Sequence, residues 1–462
     1  MKKMKIGCLV CGDLYTRTQE VFEEGNLDLS DCRKWDIPVE QPLLESIRKR
    51  IEPALPVDVD FFFEQITCEN EALDAPEADA YIVVPLGTTT AGKKGAEAFD
   101  IVFAAIYAKN KPMVFSVLPY QEVWSYGSVY YPYFIRDFRK IDAYMGLDSK
   151  YFVSRDIEDL SAKLHAIKVW YQINHTTVLC IGEPMYEPFH SWDWGYGVLR
   201  EIQEKFGIRW KQMSSDSFIK FFEEWDEKYP VGIAAEEAAG VHLPEGYSTD
   251  RAEKMYYIFK ELIEQNEADA FTVNCLWSVV HSACKTTSCY SLSRLNDDGI
   301  VSACEADVTT LLNMMIVALS SGEPAFMLNP FHFPEDNKLF VSHCTSPRKH
   351  SYMGEKQDDY HIYSYYEFPA LSCGLQIVKE PGPVTITGIS HDTMDEMIVI
   401  QGELIRNTAF SSCRTQVEID VQSDICEIVN SYQGRHWVMV YGDQTKKIKN
   451  ANDLLKISTK IF

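Results

Sequence analysis

Up to about residue 325 the chain alternates short apolar runs with amphipathic stretches, and beyond it strand-length segments take over. Residues 5–10, 57–62, 80–84 and 112–117 read as strands buried on both faces. Between them, residues 41–51 and 95–108 read as helices, and residues 156–173 form a longer helical stretch ending at Asn174 and His175. A second round follows, with a strand at 177–181, helices near 197–206 and 250–265, a strand at 268–273 and an apolar helix at 307–320. Strands alternating with helices predict parallel, doubly wound sheets. After residue 325 the segments 339–343, 361–366, 375–379, 384–389, 396–402, 416–421 and 436–441 are strand-like, separated by Gly, Pro and polar turns. That texture predicts a β-barrel or sandwich, closed by a short helix around 452–457. The expected fold class is α/β: two doubly wound α/β domains, residues 1–174 and 175–324, then a β-rich, barrel-like C-terminal domain, residues 325–462.

Size and charge narrow the function. A chain of 462 residues exceeds one compact core, and 46% hydrophobic with 24% charged residues is an ordinary globular balance. The 44 basic and 68 acidic residues give a net charge of −24, which repels nucleic acid and anionic membrane and argues against both as partners. No apolar run approaches the roughly 20 residues that span a bilayer. Lys2, Lys3 and Lys5 precede an apolar run of strand length only, with no cleavage-like site after it, so the expected location is cytoplasmic. Thirteen cysteines, an odd number scattered through apolar segments as at Cys180, Cys275 and Cys426, predict reduced, mostly buried thiols.

Two local motifs point to chemistry and lose to plainer readings. Cys8 and Cys11 form a C-x-x-C, but they lie in and just after the first strand, where a packing role is expected. Gly87, Gly92 and Lys93 carry the G-x-x-x-x-G-K core of a phosphate-binding loop, between a strand and a helix. The next residue should bring a hydroxyl for Mg²⁺ and is Lys94, so a glycine-rich strand-to-helix turn is expected instead of a nucleotide hydrolase.

The chemistry gathers later. Glu305 stands in Cys304-Glu305-Ala306-Asp307, between a short apolar segment and an apolar helix, a position at the mouth of a sheet where α/β proteins bind ligands. Asn329 ends an apolar strand that Pro330 and Pro334 then lead away from the sheet. His343 ends another strand, and His436 starts one near the C-terminus. Singly, Glu305 reads as an acid stabilising a helix N-terminus, His343 as a hydrogen-bonded core histidine and His436 as part of a surface turn. Together, a buried carboxylate, a polar strand end and late imidazoles are ingredients of a hard-metal site.

These segments resemble the L-fucose/L-arabinose isomerase family, convincingly from about residue 300 onward. The run from Glu305 to Asn329 is similar to the family's segment in which a metal-binding Glu precedes a helix and a second acid follows a short strand. Gly434-Arg435-His436 before an apolar strand resembles the family's C-terminal metal histidine, and His343 matches the extra histidine of the arabinose branch. The resemblance implies a metal-dependent aldose–ketose isomerase that moves a proton between C1 and C2 through an enediol. It implies Glu305 as ligand and acid/base, Asn329 as ligand, His436 as ligand and His343 as an additional ligand. The implied cofactor is Mn²⁺, with Mg²⁺ or Co²⁺ as substitutes, and the implied assembly is a homo-oligomer, a trimer or hexamer, acting on a small sugar.

Two positions depart from the pattern. Asn329 stands where the family is acidic; its amide oxygen can coordinate a hard cation but cannot shuttle a proton. Asp307 or Glu335 is left as a stand-in acid. Arg435 precedes His436 where the fucose branch carries a neutral amide, and a guanidinium there suits a carboxylate, phosphate or sulfonate. Arg348 and Lys349 would add to such a pocket, so an anionic sugar is the expected substrate. Epimerisation, or a non-catalytic sugar-binding or regulatory role on the same fold, stays open because of Asn329.

Overall fold

The computed structural model describes residues 3–11, 41–66, 69–86, 98–117, 127–146, 150–185, 192–224, 231–275, 279–368, 370–431 and 433–462. The chain forms two compact units, residues 2–171 and 172–462, which part within the helix Ile157–His175.

In residues 2–171, strands β1 (Met4–Cys11), β2 (Val59–Ile66), β3 (Ala80–Pro85), β4 (Met113–Ser116) and β5 (Tyr151–Ser154) form one sheet in the order β2-β1-β3-β4-β5. Every pairing is parallel, the doubly wound arrangement that the alternating pattern predicts. All residues of β3 are buried, which explains its unbroken apolar run. Val102, Phe103 and Ile106 of the helix Ala98–Ala108 pack on the sheet, with Phe103 edge-on to Phe115 at 5.7 Å. Both thiols of the C-x-x-C are buried in β1, and burial pushes each well above the ordinary thiol range, so the packing reading holds. The glycine-rich turn at 87–94 lies outside the described residues.

In residues 172–462, β6 (Thr177–Ile181), β7 (Arg209–Met213), β9 (Ala270–Val273) and β10 (Val301–Ala303) form a second parallel sheet, ordered β10-β9-β6-β7. A short strand, β8 (Gly240–His242), pairs with β13 (Tyr360–Ser364), which also pairs with β14 (Ser372–Ile377). The remaining strands are β11 (Phe326–Phe333), β12 (Lys338–His343), β15 (Gly382–Ile389), β16 (Glu396–Asn407), β17 (Thr415–Val421), β18 (Trp437–Tyr441) and β19 (Ser458–Ile461). Six of them run β15-β18-β11-β12-β17-β16, and antiparallel pairing of β15 with β16 closes the ring; β19 adds in parallel outside β16. The β-rich region is therefore a closed barrel. Its core takes alternate residues of each strand, such as Phe326 and Leu328, Leu339 and Val341, Ile398 and Ile400, and Trp437 and Met439.

The apolar helix Val308–Ser321 is buried along nearly its whole length. Asn313 ties it to the barrel, donating to the Thr387 carbonyl at 3.2 Å and accepting from the Thr387 hydroxyl at 2.8 Å. The parallel sheet and the barrel thus lie in one compact unit, with the turn at Glu305 leading from the sheet into this helix.

Candidate active site

Glu305 and Ala306 both adopt left-handed backbone, φ 63° and 49°, immediately after β10. Side-chain-bearing residues adopt this conformation at a cost of roughly 1–2 kcal/mol each, so the surroundings must impose it. They do: Ala306 N–H donates to Val273 O at 2.9 Å, Met185 N–H to Ala306 O at 2.9 Å and Asp307 N–H to Cys304 O at 3.2 Å. The Glu305 N–H donates to Cys275 Sγ at 3.3 Å. The double left-handed turn aims Glu305 away from the helix that a lone acid would cap. Asp307 caps that helix instead, its Oδ1 accepting from Thr310 N–H at 2.9 Å.

Two histidines from the barrel strands meet Glu305. His343, the last residue of β12, has Nε2 3.8 Å from Glu305 Oε1. His436, just before β18, has Nε2 3.5 Å from Glu305 Oε2. The outer face of each ring is fixed: Asp307 Oδ2 accepts from His436 Nδ1 at 2.8 Å, and Thr345 Oγ1 lies 3.0 Å from His343 Nδ1. Held by Asp307, a neutral His436 keeps its proton on Nδ1 and turns the Nε2 lone pair toward Glu305. His343 Nε2, His436 Nε2 and Glu305 Oε2 are all buried without a hydrogen-bond partner. The two imidazoles thus face the two oxygens of one carboxylate at ion-pair distance without closing a hydrogen bond, and buried polar atoms left so are costly unless something binds there.

The local field is strongly coupled. Burial alone would raise the Glu305 carboxyl, but the charge on His436, the His343 contact and Arg435 hold it down at about 2. Burial would likewise raise Asp307, yet His391, His436 and the Thr310 N–H hold it far below the usual carboxylate range. His436 is lowered by burial and raised more by Glu305 and Asp307, leaving it above the ordinary imidazole value. Arg435 is therefore close enough for its charge to act on both Glu305 and His436.

The other predicted residues divide. Asn329 lies at the same rim of the barrel, half-buried on β11 opposite Ser342, the neighbour of His343. It follows Leu328, which pairs with Trp437, the neighbour of His436. Arg348 is directed elsewhere: its Nη1 meets Glu237 Oε2 at 3.1 Å and its guanidinium covers the Tyr360 ring at 4.3 Å. The Lys349 N–H, like that of Arg348, donates to Asp297 Oδ1 at 2.8 Å. Glu335 sits exposed in the turn Pro334–Asp336. Asp307, considered as a stand-in acid, has both oxygens occupied by Thr309, Thr310 and His436, so it positions a histidine and is not placed to carry protons. The sequence reading missed Cys304 and Cys275, whose sulfurs lie 2.9 Å apart beside Glu305. The signal was there in the odd cluster of cysteines at strand ends.

Among the described residues, the ligand atoms of Cys304, Glu305 and His343 all lie within 4.8 Å of one another, and each Glu305–histidine separation by itself suits a divalent ion. Metal bonds of about 2.1 Å to imidazole and carboxylate place neighbouring ligands roughly 3–3.5 Å apart, close to the Glu305–histidine separations of 3.5 and 3.8 Å. The Asp307–His436 pair supplies the carboxylate support that metal-binding histidines carry.

Comparison with known proteins adds the activity. No family model matches the chain. It is similar to the sulfoquinovose isomerase of Priestia aryabhattai, 22% identical over 315 residues that make 66% of this chain and 68% of that protein. The sulfoquinovose isomerase of Clostridium sp. (strain MSTE9) is 21% identical over 315 residues, 66% of this chain and 69% of that protein. Among solved structures, a probable two-component response regulator/GGDEF domain protein aligns at 10% identity over 69% of this chain and 100% of that one with a TM-score of 0.24, too low to carry an argument. The catalytic reading prevails over the binding-only one: the chain is an enzyme, an aldose–ketose isomerase.

Proposed function

We propose that this chain interconverts a sulfonated aldose and its ketose at the Glu305–His343–His436 cluster, with a divalent cation held by those three side chains. The observation that carries the reading is the convergence of the orphaned Glu305 Oε2, His343 Nε2 and His436 Nε2. The names of the relatives support a sulfonate-bearing hexose as substrate. Mn²⁺ suits a mixed carboxylate and imidazole shell, with Mg²⁺ or Co²⁺ as substitutes. When bound, such a cation supplies positive charge opposite the enediolate oxygens.

The chain's own groups do the rest. Glu305 is the carboxylate facing the cluster and, unlike Asn329, can hold a proton, so it carries the proton between C1 and C2. The leading downward pull on its carboxyl is the charge on His436, which keeps Glu305 ionised and ready to accept a proton. Asp307 and Thr345 fix the two imidazoles, so their orientation is settled before substrate arrives. Arg435, beside His436, pairs with the sulfonate through parallel N–H donors. Subunits associate as a trimer or hexamer, which light scattering checks.

The test is direct. Purified protein with Mn²⁺ is mixed with sulfoquinovose in D₂O and followed by NMR. Ketose signals and deuterium entering at C2 are expected with the native chain, and neither with Glu305→Gln. No conversion of sulfonated or neutral aldoses by folded, Mn²⁺-treated protein would overturn the proposal, as would full activity in Glu305→Gln.

A further inference from the structure

Glu305, His343 and His436 together bring one negative charge to a dication, and Asn329 at the same rim adds none. A second anionic donor is within reach. The ligand atoms of Cys304, Glu305 and His343 all lie within 4.8 Å of one another, and all three residues are at least nine-tenths buried. Glu305 Oε2 and His343 Nε2 are orphaned there, which independently marks the spot for a ligand. Two ligands on opposite sides of an ion can be no further apart than about 4.4 Å, the sum of a metal–sulfur bond of about 2.3 Å and a metal–nitrogen bond of about 2.1 Å. In a tetrahedral shell the same bonds set sulfur and nitrogen about 3.6 Å apart, so the side chains draw in by up to about an ångström to bring the sulfur onto the ion. Cys275 stands behind, its Sγ 2.9 Å from Cys304 Sγ and accepting the Glu305 N–H, so it anchors the turn that presents both Cys304 and Glu305.

We infer that Cys304 is a sulfur ligand of the cation held by Glu305 and His343, and that the site consequently favours Co²⁺ and Zn²⁺ over Mg²⁺. The inference rests on the cation site proposed above and goes beyond it in naming the donor and the class of ion. On binding, the thiol proton leaves to solvent and the sulfur lone pair takes the metal. Thiolate ligands select borderline and soft ions, whereas a purely carboxylate and imidazole shell accepts hard ones.

Protein stripped with a chelator is titrated with Co²⁺ and followed by absorption. The native chain should show a near-ultraviolet sulfur-to-cobalt charge-transfer band that saturates at one ion per chain. Cys304→Ser should bind Co²⁺ without that band and at least about tenfold more weakly, while Cys275→Ser should keep the band. Competition should place Mg²⁺ well below Zn²⁺ in the native chain, with the gap narrowed in Cys304→Ser. Co²⁺ bound without the band, or a band that survives in Cys304→Ser, would overturn this inference and leave the cation site standing. No Co²⁺ bound by folded native protein would overturn both.

Discussion

Among the described residues of 172–462, two clusters of charged side chains differ in how closely their charges meet inside the protein. In the first, Lys379 Nζ meets Asp358 Oδ2 at 3.0 Å and the Pro347 carbonyl at 2.6 Å. His350 Nε2 holds the other Asp358 oxygen at 2.7 Å, and at the surface end the exposed Glu237 accepts from both Arg294 and Arg348. In the second, Glu305 stands 3.5 Å from His436 Nε2 and 3.8 Å from His343 Nε2, longer than hydrogen bonds, while the outer ring atoms are bonded to Thr345 and Asp307. Buried charge that is satisfied from within fixes the fold. Buried polar atoms fixed from behind and only loosely paired with one another in front are preorganised for something that arrives. The same sequence logic of scattered acids and bases produces both, and only the geometry tells them apart.

Substitutions should separate the clusters. Glu305→Gln keeps the shape and should lower kcat by about a thousandfold or more, the upper part of the range for losing an acid–base group, with an unchanged melting temperature. A thermal scan beside a ketose assay reads both. Lys379→Met should do the reverse: it leaves buried Asp358 with His350 as its remaining partner, costing about 3 kcal/mol of stability, read by urea unfolding, with kcat of the folded fraction retained. Asp307→Asn touches the positioning of His436 and should weaken Mn²⁺ binding about 10–100-fold, measured by calorimetry, while leaving the helix cap in place, since Asn caps as well as Asp. Arg435→Ala should raise KM for the sulfonated sugar about tenfold, in line with loss of a charged hydrogen bond, and leave a neutral aldose unaffected. An equal rise for both sugars would remove Arg435 from anion recognition.

The sequence reached the parts of the fold that rest on local pattern. The helices Gln41–Ile51 and Asp250–Gln265 and the strand β6 lie where their periodicity places them. The reading missed β7, Arg-Trp-Lys-Gln-Met, because an edge strand needs no continuous apolar run. It missed β10 because three residues are too few to carry a period, and the helix Gly127–Met145 because Pro132 interrupts it. The order of strands in the barrel was not legible, since β18 pairs with β15 and β11, both far from it in the chain, and such pairing leaves no mark in either strand alone.

The site divides in the same way. Glu305, His343 and His436 were visible because ligand-facing residues fall at strand ends, and the fold brings all three together. Asp307 signalled a helix cap through Thr310, but its bond to His436 spans 129 residues and could not be read locally. Arg348 and Lys349 follow His343 closely in the chain, yet Arg348 turns to Glu237 and Tyr360, so nearness in sequence misassigned it. Cys426, expected in an apolar setting, is exposed, while Cys275 and Cys304 are buried beside the Glu305 turn.

The measurement that bears most directly on the central claim is calorimetric titration of metal-free protein with Mn²⁺, beside Glu305→Ala and His436→Ala. One ion per native chain, lost in both variants while their melting curves stay cooperative, is the predicted result. Folded native protein that takes up no Mn²⁺, or variants that bind it as the native chain does, would contradict the assignment of the cluster as the working site.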